Sequence, residues 1–171
     1  MIKGEKAAQA LLDELGLDTA PVDVEHIARQ LNLVVTKERL GAELSGLLVR
    51  QPGAIPVIGV NTLHHPRRQR FTIAHELGHF RLQHKGEVIV DSIRVSRRDD
   101  KSRTASERDE REANAFAAAL LMPPDLVQQH VQRLMDARSG QTRVIIDLAG
   151  LFDVSEESMR YRLLNLGMLS H

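Results

Sequence analysis

Two histidines four residues apart, the first followed directly by a glutamate, stand in the run Phe71-Thr72-Ile73-Ala74-His75-Glu76-Leu77-Gly78-His79-Phe80. On a helix, four residues advance about 400°, so His75 and His79 leave one face a turn apart and can bring two imidazole nitrogens to a single ion at roughly 2.0–2.1 Å. Glu76 falls about 100° around from His75, beside such an ion rather than on it, where a carboxylate can take a proton from a water. A shuffled chain of this composition would contain the H-E-x-x-H pattern only about 0.03 times. Phe71, Ala74, Gly78 and Leu82 share the stripe that carries both histidines, which directs the imidazoles toward the protein body. Gly78 costs up to about 1 kcal/mol in a helix interior, a cost accounted for if any side chain there would obstruct close packing beside the site.

A catalytic zinc site usually has three protein ligands and a water. The chain has no cysteine and eight histidines, so the remaining ligand must come from His, Asp or Glu. The pattern H-E-x-x-H-x-x-G-x-x-H would need Gly at 82 and His at 85; Leu82 and Lys85 stand there and exclude it. His84 lies five residues, about 500°, beyond His79, which on a continuous helix takes it off the ligand face and gives it a cap or surface role. Glu110-Arg111-Glu112-Ala113-Asn114 supplies two carboxylates. Glu110 and Asn114 share a face with Ala113, Ala117 and Leu121, small enough in part to pack close to the His helix. In that geometry Glu110 ligates the ion and Asn114 accepts a hydrogen bond from the far ring nitrogen of one histidine. Glu112, on the Phe116, Ala119 and Leu120 face, is the alternative ligand.

The elements that must hold these residues are legible in outline. Helical spacing runs from Lys3 to Leu15, with Gly16 as a stop, and from about Asp23 to Leu31. Three short β-like runs follow, Leu33-Val34-Val35-Thr36, Ser45-Gly46-Leu47-Leu48-Val49 and Pro56-Val57-Ile58-Gly59-Val60, predicting a small antiparallel sheet of three or so strands. The His helix is expected over about 65–84, with Pro66 in its first turn and Lys85-Gly86 ending it. In residues 94–112, 13 of 19 positions are charged, which reads as a solvated loop leading into a helix over about 106–122 that stops at Pro123-Pro124. Helices near 125–137, 142–152 and 155–166 complete the chain, the last N-capped by Ser155. The fold class predicted is α+β, mostly helical, with a core over 1–138 and a C-terminal helix pair over 139–171 packed on or appended to it.

Composition excludes several function classes. The 171 residues carry 23 Lys+Arg against 23 Asp+Glu, so no bulk field draws the chain to nucleic acid or anionic lipid. No apolar run suffices for a membrane span, and the charged start lacks a signal peptide's apolar stretch, which predicts a cytoplasmic location. Only 3% of residues are aromatic, too few for base stacking as a main activity. Residues 144–166 read as helix, turn, helix, a pattern common in DNA-binding modules, yet 142–166 carry three Arg against four acids, net −1, which favours packing or protein docking over phosphate binding. Tyr161, the single tyrosine, falls in the last helix and reads as a packing residue.

Four blocks in order resemble the ImmA/IrrE family of zinc metallopeptidases. They are Pro21-Val22-Asp23-Val24-Glu25-His26-Ile27-Ala28; the Arg70 to His79 run; Glu110-x-x-Ala113-Asn114-x-Phe116-Ala117-x-x-Leu120-Leu121-Met122-Pro123; and Leu148-Ala149-x-x-Phe152-x-Val154-Ser155 with Arg162-Leu163-x-x-Leu166-Gly167. The resemblance implies a gluzincin-like core with His75, His79 and Glu110 as Zn2+ ligands and Glu76 as general base. It also implies site-specific cleavage of a helix-turn-helix repressor or antitoxin, in a stress response or the induction of a mobile element. Asn114 departs from gluzincin-like relatives, which often have Asp; an amide orients a histidine more weakly, so lower activity is implied. The alternative from another class is a metal-binding module that binds a repressor or DNA without proteolysis.

Overall fold

The computed structural model describes residues 2–86, 88–92, 107–136 and 140–169. Helix α1 (Lys3–Leu15) ends at Gly16, whose φ of 64° is the left-handed conformation that glycine adopts without strain. Asp23 caps α2 (Val24–Gln30) by accepting a 2.9 Å hydrogen bond from the His26 amide. Strands β1 (Val34–Glu38), β2 (Leu44–Val49) and β3 (Val57–Asn61) precede the His helix α3 (Pro66–Arg81). Strand β4 (Val88–Ser92) and helices α4 (Glu107–Leu121), α5 (Pro124–Asp136), α6 (Gln141–Phe152) and α7 (Glu156–Asn165) complete the described elements. The α+β class holds. The expected solvated loop falls largely on residues 93–106, outside the described residues.

The sheet is small, as expected, and differs from the antiparallel arrangement of three or so strands in two respects. It has four strands in the order β1-β3-β2-β4, and β1 pairs with β3 in parallel, from Val34 opposite Val57 to Glu38 opposite Asn61. The remaining pairs, β2 with β3 and β2 with β4, are antiparallel. Both departures have one cause. An alternating or apolar run marks a strand, but the two-residue period carries no information about direction or neighbour, which tertiary packing decides. β3 is buried along nearly its whole length because it lies between two strands with α3 packed against the sheet.

One hydrophobic cluster runs through the molecule, from Leu11 and Leu12 of α1 through Leu77 of α3 and Phe116 of α4 to Leu148, Phe152 and Leu163 near the C-terminus. The C-terminal helices are also tied down by polar contacts. Arg162 is buried, its Nε donating to the Met122 carbonyl at 3.0 Å and its Nη1 to Glu5 Oε1 at 2.8 Å. Asp153, in the α6–α7 turn, pairs with Arg67 and Arg70 of α3, each at 3.2 Å. Ser155 caps α7 as expected, accepting from the Ser158 amide at 3.1 Å. No helix among the described residues is long and apolar enough to cross a membrane.

Candidate metal centre

Helix α3 begins where the sequence places it. Pro66 occupies the first turn, where its missing N–H is not needed, and His65 accepts a hydrogen bond from the Arg67 amide at 3.2 Å. The helix is buried from Thr72 through His79, lodged between α4 and strands β2 and β3. Two glycines set how closely it lies. A Cβ on Gly46 of β2 would stand 2.4 Å from Thr72 Cγ2 and 2.7 Å from the Gly59 carbonyl oxygen. A Cβ on Gly78 would stand 3.1 Å from both Ala113 Cα and Phe116 Cδ1 of α4. Gly78 is therefore the point where the two helices touch, as its position beside the histidines suggested. Gly78→Ala is expected to destabilise the fold by about 1–3 kcal/mol despite alanine's better helix propensity, because the facing atoms include backbone that cannot rotate away. Denaturant unfolding measures it, and an unchanged midpoint would show that the helices separate at no cost.

With the helices this close, three donor residues converge. His75 Nε2 is 3.0 Å from His79 Nε2 and 3.2 Å from Glu110 Oε2; His79 Nε2 is 3.4 Å from Glu110 Oε1. Ligands 2.0–2.1 Å from a tetrahedral centre lie about 3.3 Å apart, so each of these separations is of the size such a centre needs. The hydrogen-bonding groups around them fit a cation as well. His75 Nδ1 is 3.1 Å from Asn114 Oδ1, an atom that only accepts, so the ring carries its proton on Nδ1 and turns a bare lone pair on Nε2 toward the site. Burial acts to raise the Glu110 pKa, but when the facing His75 and His79 rings are protonated their hydrogen bonds and charge outweigh it and bring the carboxyl down to about 2. Glu110 is thus an anion facing two imidazoles, a donor set suited to a divalent cation such as zinc. His75, His79 and Glu110 are the one such group of three among the described residues.

Glu76 is fully buried beside this group, its Oε1 3.9 Å from where a Cβ on Gly46 would stand. Glu112 is not part of the cluster. It lies one face around α4, paired with Arg108 at 3.0 Å and Lys3 at 3.3 Å, contacts that hold its carboxyl below the usual range.

His84 departs from the cap or surface role. The helix ends at Arg81 instead of continuing to 84, and Gln83 takes a left-handed φ of 56° that turns the chain back. His84 is consequently buried, with Nδ1 2.9 Å from His79 Nδ1 and Nε2 3.6 Å from Glu112 and 3.7 Å from Asp109. Burial lowers its pKa and His79 acts in the same direction, against Asp109 and Glu112. Nothing in the residue types announced this turn, since glutamine is not a usual left-handed residue. Tyr161 also departs from expectation: it is 61% exposed rather than packed. With Phe71, Arg111 and Asn114 it lines a cavity of about 440 Å3.

Comparison with known proteins places this architecture. The family described as Peptidase M78, the IrrE N-terminal-like domain, matches residues 28–164. The radiation response metalloprotease IrrE of Deinococcus radiodurans is 33% identical over 111 residues, 63% of this chain and 30% of that protein. The protein of the same description from Deinococcus deserti is 35% identical over 108 residues, 63% of this chain and 35% of its own. The chain thus spans about a third of the length of these relatives. A structure described as a Mycobacterium tuberculosis transcriptional regulator superposes with a TM-score of 0.57 at 19% identity, over 94% of this chain and 46% of that one, a likeness of fold. With a family match over most of its length and a His-His-Glu cluster at its centre, the chain belongs to the ImmA/IrrE family of metallopeptidases.

Proposed function

We propose that the protein is a cytoplasmic zinc-dependent endopeptidase that cleaves a helix-turn-helix repressor or antitoxin at one site. The observation that carries this reading is the convergence of three donor residues, their facing atoms 3.0–3.4 Å apart, with a buried carboxylate one residue from the first. His75, His79 and Glu110 hold the ion, and Asn114 fixes the ring of His75 through its Nδ1 proton. Zinc in this position supplies Lewis acidity, activating a water and polarising the scissile carbonyl. Glu76 takes the proton of the attacking water and delivers it to the leaving amine, so that the C–N bond breaks and no net proton is consumed by the enzyme. Its burial serves this role, because a general base in a low-dielectric site is not levelled by bulk water.

Residues 1–138 form the catalytic core in this reading, and the C-terminal pair over 139–171 completes its body and offers a surface for a protein partner. The balance of three Arg and four acids over 142–166 argues against direct contact with nucleic acid. Effects on transcription are then exerted by cutting another protein, a role compatible with the radiation response named for its relatives. Incubating the zinc-loaded protein with helix-turn-helix repressors and locating products by mass spectrometry tests it. A single discrete cut, prevented by a chelator, is the expected result. Repressor inactivation with the polypeptide left intact would establish the non-proteolytic binding module instead.

A further inference from the structure

We propose that His84 is a positioning residue that fixes the tautomer of His79, passing an orientation set by Asp109 and Glu112 to the metal centre. The inference rests on the reading that His79 holds the ion. Only one proton can lie between His79 Nδ1 and His84 Nδ1, 2.9 Å apart, and the two possible placements have opposite consequences. If His79 carries it, His79 Nε2 is bare and can donate its lone pair to a cation. If His84 carries it, neutral His79 must be protonated on Nε2, which points at His75 and Glu110 and blocks the site.

The far side of His84 decides between them. Its Nε2 faces two carboxylates, Glu112 Oε2 at 3.6 Å and Asp109 Oδ1 at 3.7 Å, and carboxylates only accept. The electrostatically favoured tautomer of His84 therefore has its proton on Nε2, leaving Nδ1 as the acceptor for His79. The chain of contacts runs from α4 carboxylates through the His84 ring to a ligand on α3, with the left-handed turn at Gln83 aiming the ring. Glu112 is itself held by Arg108 and Lys3, so the far end of the relay is anchored. His75 has Asn114 in the equivalent place, giving each ligand histidine its own acceptor.

Two variants separate the hydrogen bond from simple packing. His84→Leu fills space without an acceptor, while His84→Gln keeps a carbonyl oxygen that can accept from His79. Zinc affinity, measured by competition with a chromogenic chelator, is expected to fall about 10–100-fold in H84L and to recover for the most part in H84Q. Long-range nitrogen–proton NMR of the zinc-loaded wild type should show the His79 proton on Nδ1. A folded H84L with unchanged affinity, or equal losses in both variants, overturns the proposal. If H84L fails to fold, the wild type decides it: His84 protonated on Nε2 in the metal-free chain supports the relay, and a proton on Nδ1 refutes it. A wild-type chain that takes up no zinc overturns the metal reading itself, while the His84 nitrogen shifts still report on the relay.

Discussion

Glu76→Gln should lower the rate of peptide-bond hydrolysis by about 10²–10⁴-fold while zinc is still taken up at one equivalent per chain. The glutamine side chain has nearly the same shape, so α3 keeps its packing on β2, where Thr72 and Gly46 leave no room for rearrangement. It cannot, however, accept the proton of an attacking water. The prediction isolates chemistry from binding because the donor atoms belong to His75, His79 and Glu110 and not to Glu76. Single-turnover cleavage of a repressor together with zinc stoichiometry provides the measurement. Wild-type cleavage in the variant would sink the assignment of Glu76. Loss of cleavage accompanied by loss of zinc would mean that the carboxylate is structural.

The second large effect distinguishes the two glutamates of α4. On the proposed reading Glu110→Ala removes one of three ligands. Since structural zinc sites bind with about 10–16 kcal/mol from four ligands, one ligand corresponds to roughly 10²–10³-fold in affinity. Glu112→Ala removes ion pairs to Lys3 and Arg108, whose side chains are 59% and 76% exposed and whose pairs are worth less than about 1 kcal/mol each, and one of the two carboxylates facing His84, where Asp109 remains. Zinc competition across the pair should therefore give a large loss for Glu110→Ala and a much smaller one for Glu112→Ala. The reverse order would reassign the third ligand to Glu112, the alternative that spacing alone left open.

How much of the site was legible follows from which residues share an element. His75, Glu76 and His79 lie within one turn of a single helix, so their mutual placement depends only on helical geometry, and Gly78 marks the contact face because it is out of place in a helix interior. Glu110 and Asn114 required a second step, the small-residue stripe through Ala113 and Ala117 that lets α4 approach α3. The structure brings all of these together. His84 was not legible, because its position depends on where α3 ends. Lys85-Gly86 offered a stop several residues later than the one taken, and the left-handed Gln83 has no compositional marker.

The sheet shows the same division. The apolar runs located β1, β2 and β3 to within a residue or two, because burial demands apolar side chains whatever the strand's partners. The parallel pairing of β1 with β3 and the addition of β4 depend on contacts between separate strands, which no local period encodes. By itself, then, the sequence determined the chemistry of the centre. Without cysteine the ligands had to be His and carboxylate, and a four-residue interval on a helix orients two imidazoles together. The tertiary structure alone decided which glutamate faces the two histidines and which histidine stands behind His79. Both depend on contacts between separate elements at 3–4 Å, and those distances are set by the packing of α3 against α4 at Gly78 and by a single left-handed residue, not by spacing along the chain.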